Sequence, residues 1–142
     1  MARKTIKKIL VPMDGSSGSF RALDEAIYLA QQLGAQITGV YVLHVAYDNP
    51  DLIHIPETQN HLKKVEKFLE NAKKLVIKNK ITFKKETLFG HESKKIIDFA
   101  QKEKFDLIVI GSRGLSPLKR MILGSVANSV VNKSKIPVLV VK

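Results

Sequence analysis

The chain has 142 residues, 44% hydrophobic and 26% charged, the profile of an ordinary soluble globule long enough to bury a core as one domain. It contains no cysteine, which excludes disulfides, thiolate metal ligands and thiol chemistry, and no run of about 18 apolar residues of the kind that crosses a membrane. Its 24 lysines and arginines against 13 acids give +11, which favours anionic partners such as nucleotides, nucleic acids or acidic surfaces without choosing among them.

The opening "MARKTIKKILVPMDG" passes from basic residues straight into a strand-like segment, with no apolar signal region, so a cytoplasmic location is expected. That first strand, with Ile6, Ile9, Leu10 and Val11, closes at Pro12 to Asp14. "GSSGSFRALDEAIYLAQQLG" has serine and glycine caps at its head, apolar Leu23, Ala26, Ile27 and Ala30 at helical spacing, and Gly34 as a stop. "AQITGVYVLHV" is a second strand, and "YDNPDLIHIPE", with two prolines, reads as a surface loop. A Lys/Glu-rich helix follows from about Glu57 to Asn79 with Leu62, Val65, Leu69 and Val76 inward. Then come a strand in "ITFKKETLFG", a helix in "HESKKIIDFAQKEK", a strand in "FDLIVIG", a helix in "GSVANSVVNKSK" and a last strand in "IPVLVVK".

Five strands alternating with four helices predict an α/β fold: a single domain over 1–142, an open and mostly parallel five-stranded sheet with right-handed crossovers and helices on both faces. "FDLIVIG" and "KILVPMD" are nearly unbroken apolar runs, as central parallel strands covered on both faces must be. Lys84, Lys85 and Glu86 interrupt the third strand and protect an edge from further pairing. The terminal strand also reads as an edge but has no such protection, so a homodimer through Pro137 to Val141 is expected, burial of that edge within the chain being the alternative.

Ligands of an open parallel sheet sit beyond the carboxyl ends of its strands. Gly111 and Gly114 lie there, after the fourth strand, and glycines at such a rim permit positive φ and close approach of amides to an anion. Gly124 and Ser125 then open a helix carrying Val126, Ala127, Val130 and Val131, whose first N–H groups are free for a phosphate. The segment is neither a Walker A loop nor G-x-G-x-x-G. By physics alone, the glycines could equally be turn formers and a helix cap.

Glycine, two residues, glycine, nine residues, glycine, serine is similar to the ATP-binding signature of the universal stress protein family. The resemblance runs the length of the chain: "KKILVPMDGSSGSFRALDEAIYLA" resembles that family's opening, "FGHESKKIIDFAQKEKFDLIVIGSRG" its middle and "GSVANSVV" to "IPVLVV" its last third. Residues 46 to 60 match least, and Met13 stands where threonine or valine is common. The resemblance implies a Rossmann-like fold of the adenine nucleotide alpha hydrolase type that binds ATP at the rim between the first and fourth strands. Carried over by position, it places Asp14 at the ribose and phosphates and at a metal, with Pro12 and Met13 bordering the pocket. Val42 presents backbone groups to adenine, and Ile110 packs near the base. Gly111, Gly114, Gly124 and Ser125 hold the phosphates, with Ser112, Arg113 and Val126 beside them; Mg²⁺ is expected through the phosphates.

Arg113, Lys119 and Arg120 share the loop, where a guanidinium could meet phosphate oxygens or stay solvated. His44, His54, His61 and His91 form no close metal pair, and His91 alone stands at a strand's carboxyl end. No carboxylate occurs from Gly111 to Lys142, so a base for hydrolysis would have to be Asp14 or come from elsewhere, and the site suits holding a nucleotide better than turning it over. The lysines from Lys63 to Lys104 alternate with glutamates and aromatics are 6%, a solvated face rather than a nucleic-acid surface. The expected function is an ATP-binding, nucleotide-dependent regulatory module of the stress response. Its alternatives are a slow ATPase or phosphoryl-transfer enzyme at the same site and an interaction protein whose pocket is empty or holds another adenine compound.

Overall fold

A computed structural model describes residues 5–44, 51, 54–114 and 123–142. In chain order the elements are β1 (Lys8–Pro12), α1 (Ser17–Leu33), β2 (Gln36–Leu43), α2 (Pro56–Lys78), β3 (Phe83–Phe89), α3 (Glu92–Lys102), β4 (Leu107–Gly111), α4 (Ser125–Lys133) and β5 (Val138–Val141). The strands form one sheet in the order β3-β2-β1-β4-β5, and every neighbouring pair is parallel. The expected fold class holds, and both strands expected at the edges lie there.

Residue parity decides which helices cover which face, because successive strand side chains point to opposite sides. Ile9, Val11, Ile37 and Val109 meet α1 and α2 through Leu23, Ala26, Val65 and Leu69. Leu10, Val40, Val42, Ile108 and Ile110 meet α3 and α4 through Ile96, Ala100, Ala127 and Val130. The central strands are thus buried on both sides, which is why their sequences are unbroken apolar runs. The chain switches from one face to the other between β2 and β4, on either side of β1, and this leaves a crevice at the carboxyl end of the sheet.

Local signals set the helix ends that shape that crevice. Ser16 caps α1: its Oγ accepts the Ser19 amide at 3.1 Å, while the Ser19 hydroxyl donates to the Ser16 carbonyl at 2.8 Å. Gly34 ends the helix in the left-handed region, φ 67°, with its N–H on the Ala30 carbonyl. On the β3 edge, Lys85 is held by Glu66 and Glu70 of α2, which raises its ammonium pKa. The charge that guards the edge therefore also ties the strand to the helix above it.

At the other end of the sheet, one Asp106 carboxylate oxygen accepts the amides of Lys7 and Lys8 at 2.9 and 3.0 Å, fastening the start of β1 to that of β4. Asp106→Ala removes both bonds and is expected to cost about 1 to 3 kcal/mol in urea denaturation; Asp106→Asn, which retains an acceptor, loses less.

Candidate functional site

β1 and β2 part company at the rim. Met13 donates its amide to the Val40 carbonyl at 2.7 Å, after which β1 turns into the loop before α1 while β2 runs on to Leu43. Peptide groups along a strand face its two neighbours alternately. Gln36 donates to Lys7 and Val40 accepts from Met13, on the β1 side; Ile37 donates to Thr82 and Leu43 accepts from Gly90, on the β3 side. Val42 therefore turns its N–H and C=O to the β1 side, past the point where β1 has left. One donor and one acceptor, side by side, edge the crevice.

Asp14 follows at the end of β1. Its Oδ1 accepts the Ser16 amide at 2.9 Å, an Asx turn that starts the α1 loop. Its Oδ2 lies against Gly114, where an added Cβ would come within 2.5 Å of it. Gly114 thus lets the β4 loop approach this carboxylate in its present position; a side chain there would displace Oδ2. Gly111 answers to a different neighbour: a Cβ there would stand 2.9 Å from the Gly18 carbonyl oxygen, and a Cβ on Gly18 would stand 2.8 Å from that of Arg113. The two glycines let the end of β4 pack directly on the first turn of α1.

Gly124 differs from both. It precedes α4 at φ −65° and ψ 163°, ordinary extended backbone, and a Cβ on it would meet nothing closer than 3.5 Å. Its N–H donates to the Ser112 carbonyl at 2.6 Å, and Ser112 in turn donates to Val141 at 2.8 Å, so the start of α4 is fixed to the β4–β5 ladder. No side chain caps α4, and its helical ladder begins with Asn128 donating to Gly124. The amides of Ser125, Val126 and Ala127 precede that ladder and carry the positive end of the helix dipole. The positive φ that Gly111 and Gly114 permit is not used: among the described residues the positive-φ glycines are Gly15, Gly34 and Gly90. Close approach, and not an unusual dihedral, is what Gly111 and Gly114 supply.

These groups enclose a cleft of about 400 Å³. Pro12, Met13, Asp14 and Val42 line it from β1 and β2; Ile110, Gly111, Arg113 and Gly114 from β4 and its loop; Gly124, Ser125 and Val126 from the start of α4. All the residues singled out for binding are thus brought to one crevice, with Val42 and Ile110 also part of the core on the α3–α4 face. Ser112 is buried behind the lining, and Lys119 and Arg120 lie outside the described residues.

Nine further residues among those described line the cleft, and three of them carry ionisable side chains that were not foreseen there: Tyr41, His44 and Glu92. They come from the end of β2 and the start of α3, far in sequence from the glycine segment, and only the strand order brings them to it. Burial first, then the Glu92 and Asp14 carboxylates, push the Tyr41 phenol pKa up, so the hydroxyl stays protonated at neutral pH. It pairs with His61 Nε2 at 2.7 Å. Glu92 adds a second carboxylate to a cleft for which Asp14 was the one foreseen. His91, the histidine flagged by position, sits outside the lining, its ring 6.3 Å from that of His44. Among the described residues no three His, Asp or Glu side chains are grouped to hold a metal, so Asp14 offers at most one carboxylate ligand.

Residues 5–142 match the sequence model of the universal stress protein family. The chain belongs to that family. A universal stress protein of Methanocaldococcus jannaschii, MJ0531, is 36% identical over 96% of this chain and 82% of its own length. Among solved structures, the universal stress protein UspA of Lactobacillus plantarum superposes with a TM-score of 0.89 at 27% identity, covering 99% of this chain and all of that one. A universal stress protein in complex with cAMP superposes at 0.74 with 25% identity, covering 98% of each chain.

The glycines separate in a stability measurement. Gly111→Ala drives a methyl group into the Gly18 carbonyl and is expected to lower unfolding free energy by about 1 to 3 kcal/mol, whereas Gly124→Ala leaves the urea midpoint at the wild-type value or above it.

Proposed function

We propose that this universal stress protein binds ATP in the rim cleft as a nucleotide-dependent regulatory module. The observation that carries the reading is Gly124: among the described residues a Cβ there makes only ordinary contacts, yet the residue stands in front of the uncapped amides of α4, where a larger side chain would obstruct an approaching anion. The Ser125, Val126 and Ala127 amides, the Ser125 hydroxyl and Arg113 hold the phosphates. The N–H and C=O of Val42 meet the edge of adenine, whose ring nitrogen accepts and whose exocyclic amine donates; Ile110 and Val126 pack against the base. Asp14 takes the ribose and phosphate region. The relative solved with cAMP supports an adenine nucleotide as the ligand class.

Mg²⁺ fits as an ion carried in by the phosphates, since it keeps most of its waters and needs few protein ligands, of which Asp14 is one. Residues Pro137 to Val141 form the open edge of the sheet, with Leu139 39% exposed, and that edge supports a homodimer in which nucleotide binding at Gly111 to Gly124 is felt by the neighbouring β5. The second reading, a slow ATPase, is favoured by Glu92, which gives the cleft a carboxylate beyond Asp14 for activating water.

Calorimetric titration with ATP and Mg²⁺, paired with mass spectrometry of small molecules released from the purified protein, tests the first reading. Wild type is expected to bind in the micromolar range and Gly124→Val to lose binding while keeping its circular dichroism spectrum and melting temperature. Absence of binding by any adenine nucleotide to folded wild type contradicts it. Phosphate release that Glu92→Gln abolishes would favour the ATPase.

A further inference from the structure

The end of the sheet opposite the cleft carries a surface that nucleotide binding does not use. In this parallel sheet every helix finishes, and every strand starts, at that end. Helices α2, α3 and α4 each have a lysine in the last turn, Lys78, Lys102 and Lys133. The connections that follow add Lys80, Lys104 and Lys135, and Lys7 and Lys8 stand at the start of β1. Eight lysines thus share one pole with two acids, Glu103 and Asp106, and Asp106 is already engaged by the Lys7 and Lys8 amides. The ion pairs among the described residues join Lys85 to Glu66 and Glu70 and Lys94 to Asp98, so no carboxylate neutralises any of the eight.

Lysines in a helix's last turn complement its carbonyl end, but that does not account for Lys80 and Lys104. Both lie beyond their helices in the left-handed region, at φ 62° and 57°, where glycine or asparagine is usual and where α1 does use Gly34. The turns account for the backbone, with Lys80 and Ile81 donating to Ile77 and Val76, and Lys104 and Phe105 to Gln101 and Ala100, while each lysine side chain is left exposed.

The makeup of the pole narrows its partner. Among the described residues its cation is lysine, without arginine, and its aromatic ring, Phe105, is buried beneath Lys8. Nucleic-acid surfaces favour arginine forks and exposed rings for stacking, and protein interfaces are depleted in lysine. Two exposed aliphatic side chains stand at the same end, Leu33 closing α1 and Ile77 near the end of α2, and a 3.2 Å bond from Gln31 to Asn79 holds those helix ends together. Ammonium groups around exposed aliphatics suit the interface of an anionic bilayer, where lysines meet lipid phosphates and the aliphatics enter the headgroup layer.

We propose that this lysine pole docks the protein peripherally onto anionic phospholipid, with the cleft turned to the aqueous side. Such docking needs no membrane-crossing helix, and none of the described helices is long and apolar enough to be one. The sequence reading expects no membrane partner because the chain has no apolar run long enough to cross one; the eight lysines, scattered from Lys7 to Lys135, are gathered only by the topology.

Cosedimentation of the full chain with vesicles tests the proposal, comparing phosphatidylcholine mixed with phosphatidylglycerol against phosphatidylcholine alone. Wild type is expected to sediment with the anionic vesicles only, and less as salt rises. The triple variant Lys80→Asn, Lys104→Asn, Lys135→Gln, whose asparagines accept the left-handed backbone, should bind at least about tenfold more weakly. A second triple variant with the same charge change on the flank of α2, Lys63→Gln, Lys64→Gln, Lys67→Gln, should bind like wild type; equal melting temperatures check that all three proteins are folded. Equal weakening in both variants, equal sedimentation with neutral vesicles, no sedimentation at all, or tighter binding to duplex DNA or RNA at matched phosphate would each overturn the proposal.

Discussion

The amide of Met13 reaches the Val40 carbonyl, and no β1 residue follows to pair with Val42. Everything at the rim depends on that parting of two parallel strands. Because β2 continues for three residues beyond its last β1 partner, a peptide group is left facing sideways into the crevice. Because the chain crosses to opposite faces on the two sides of β1, no helix fills the space in front of that peptide, and the uncapped start of α4 looks into it from the β4 side. A donor–acceptor pair at one end and a cluster of forward-pointing amides at the other are what a heterocyclic base joined to phosphates requires.

The glycines divide between the fold and the ligand. Gly111 permits β4 to lie on the first turn of α1, and Gly114 permits the following loop to lie on the Asp14 carboxylate. Gly111 meets backbone and could not carry a side chain whatever the cleft contained, whereas a side chain at Gly114 would displace the Asp14 carboxylate. Gly124 is not crowded in that way: among the described residues, a Cβ there would make only ordinary contacts with the backbone of Ser112 to Gly114. One signature thus contains two kinds of requirement, which explains why its spacing is so much more specific than a phosphate loop alone would need.

Much of the fold was legible in the sequence because its signals are local. Unbroken apolar runs marked β1 and β4 as central, Lys84 to Glu86 marked β3 as an edge, and Ser16 and Gly34 set the ends of α1. The glycine segment was legible for the same reason, since Gly111, Gly114, Gly124 and Ser125 lie close in the chain. Tyr41, His44 and Glu92 were not, because they reach the cleft only through the order β3-β2-β1-β4-β5, and no local pattern announces that order. Of the two freedoms that glycine offers at the rim, positive φ and close approach, the sequence could not say which is used. What limits Gly111 is Gly18, far away in sequence, and no inspection of "GSRG" by itself could show it.

Nuclear magnetic resonance of ¹⁵N-labelled protein titrated with ATP and Mg²⁺ tests binding at this rim most directly. The amides of Val42, Ser125, Val126 and Ala127 should shift together and saturate with one dissociation constant, while those at the lysine pole stay in place. Saturable shifts confined to other residues, or none at millimolar ATP, would contradict it.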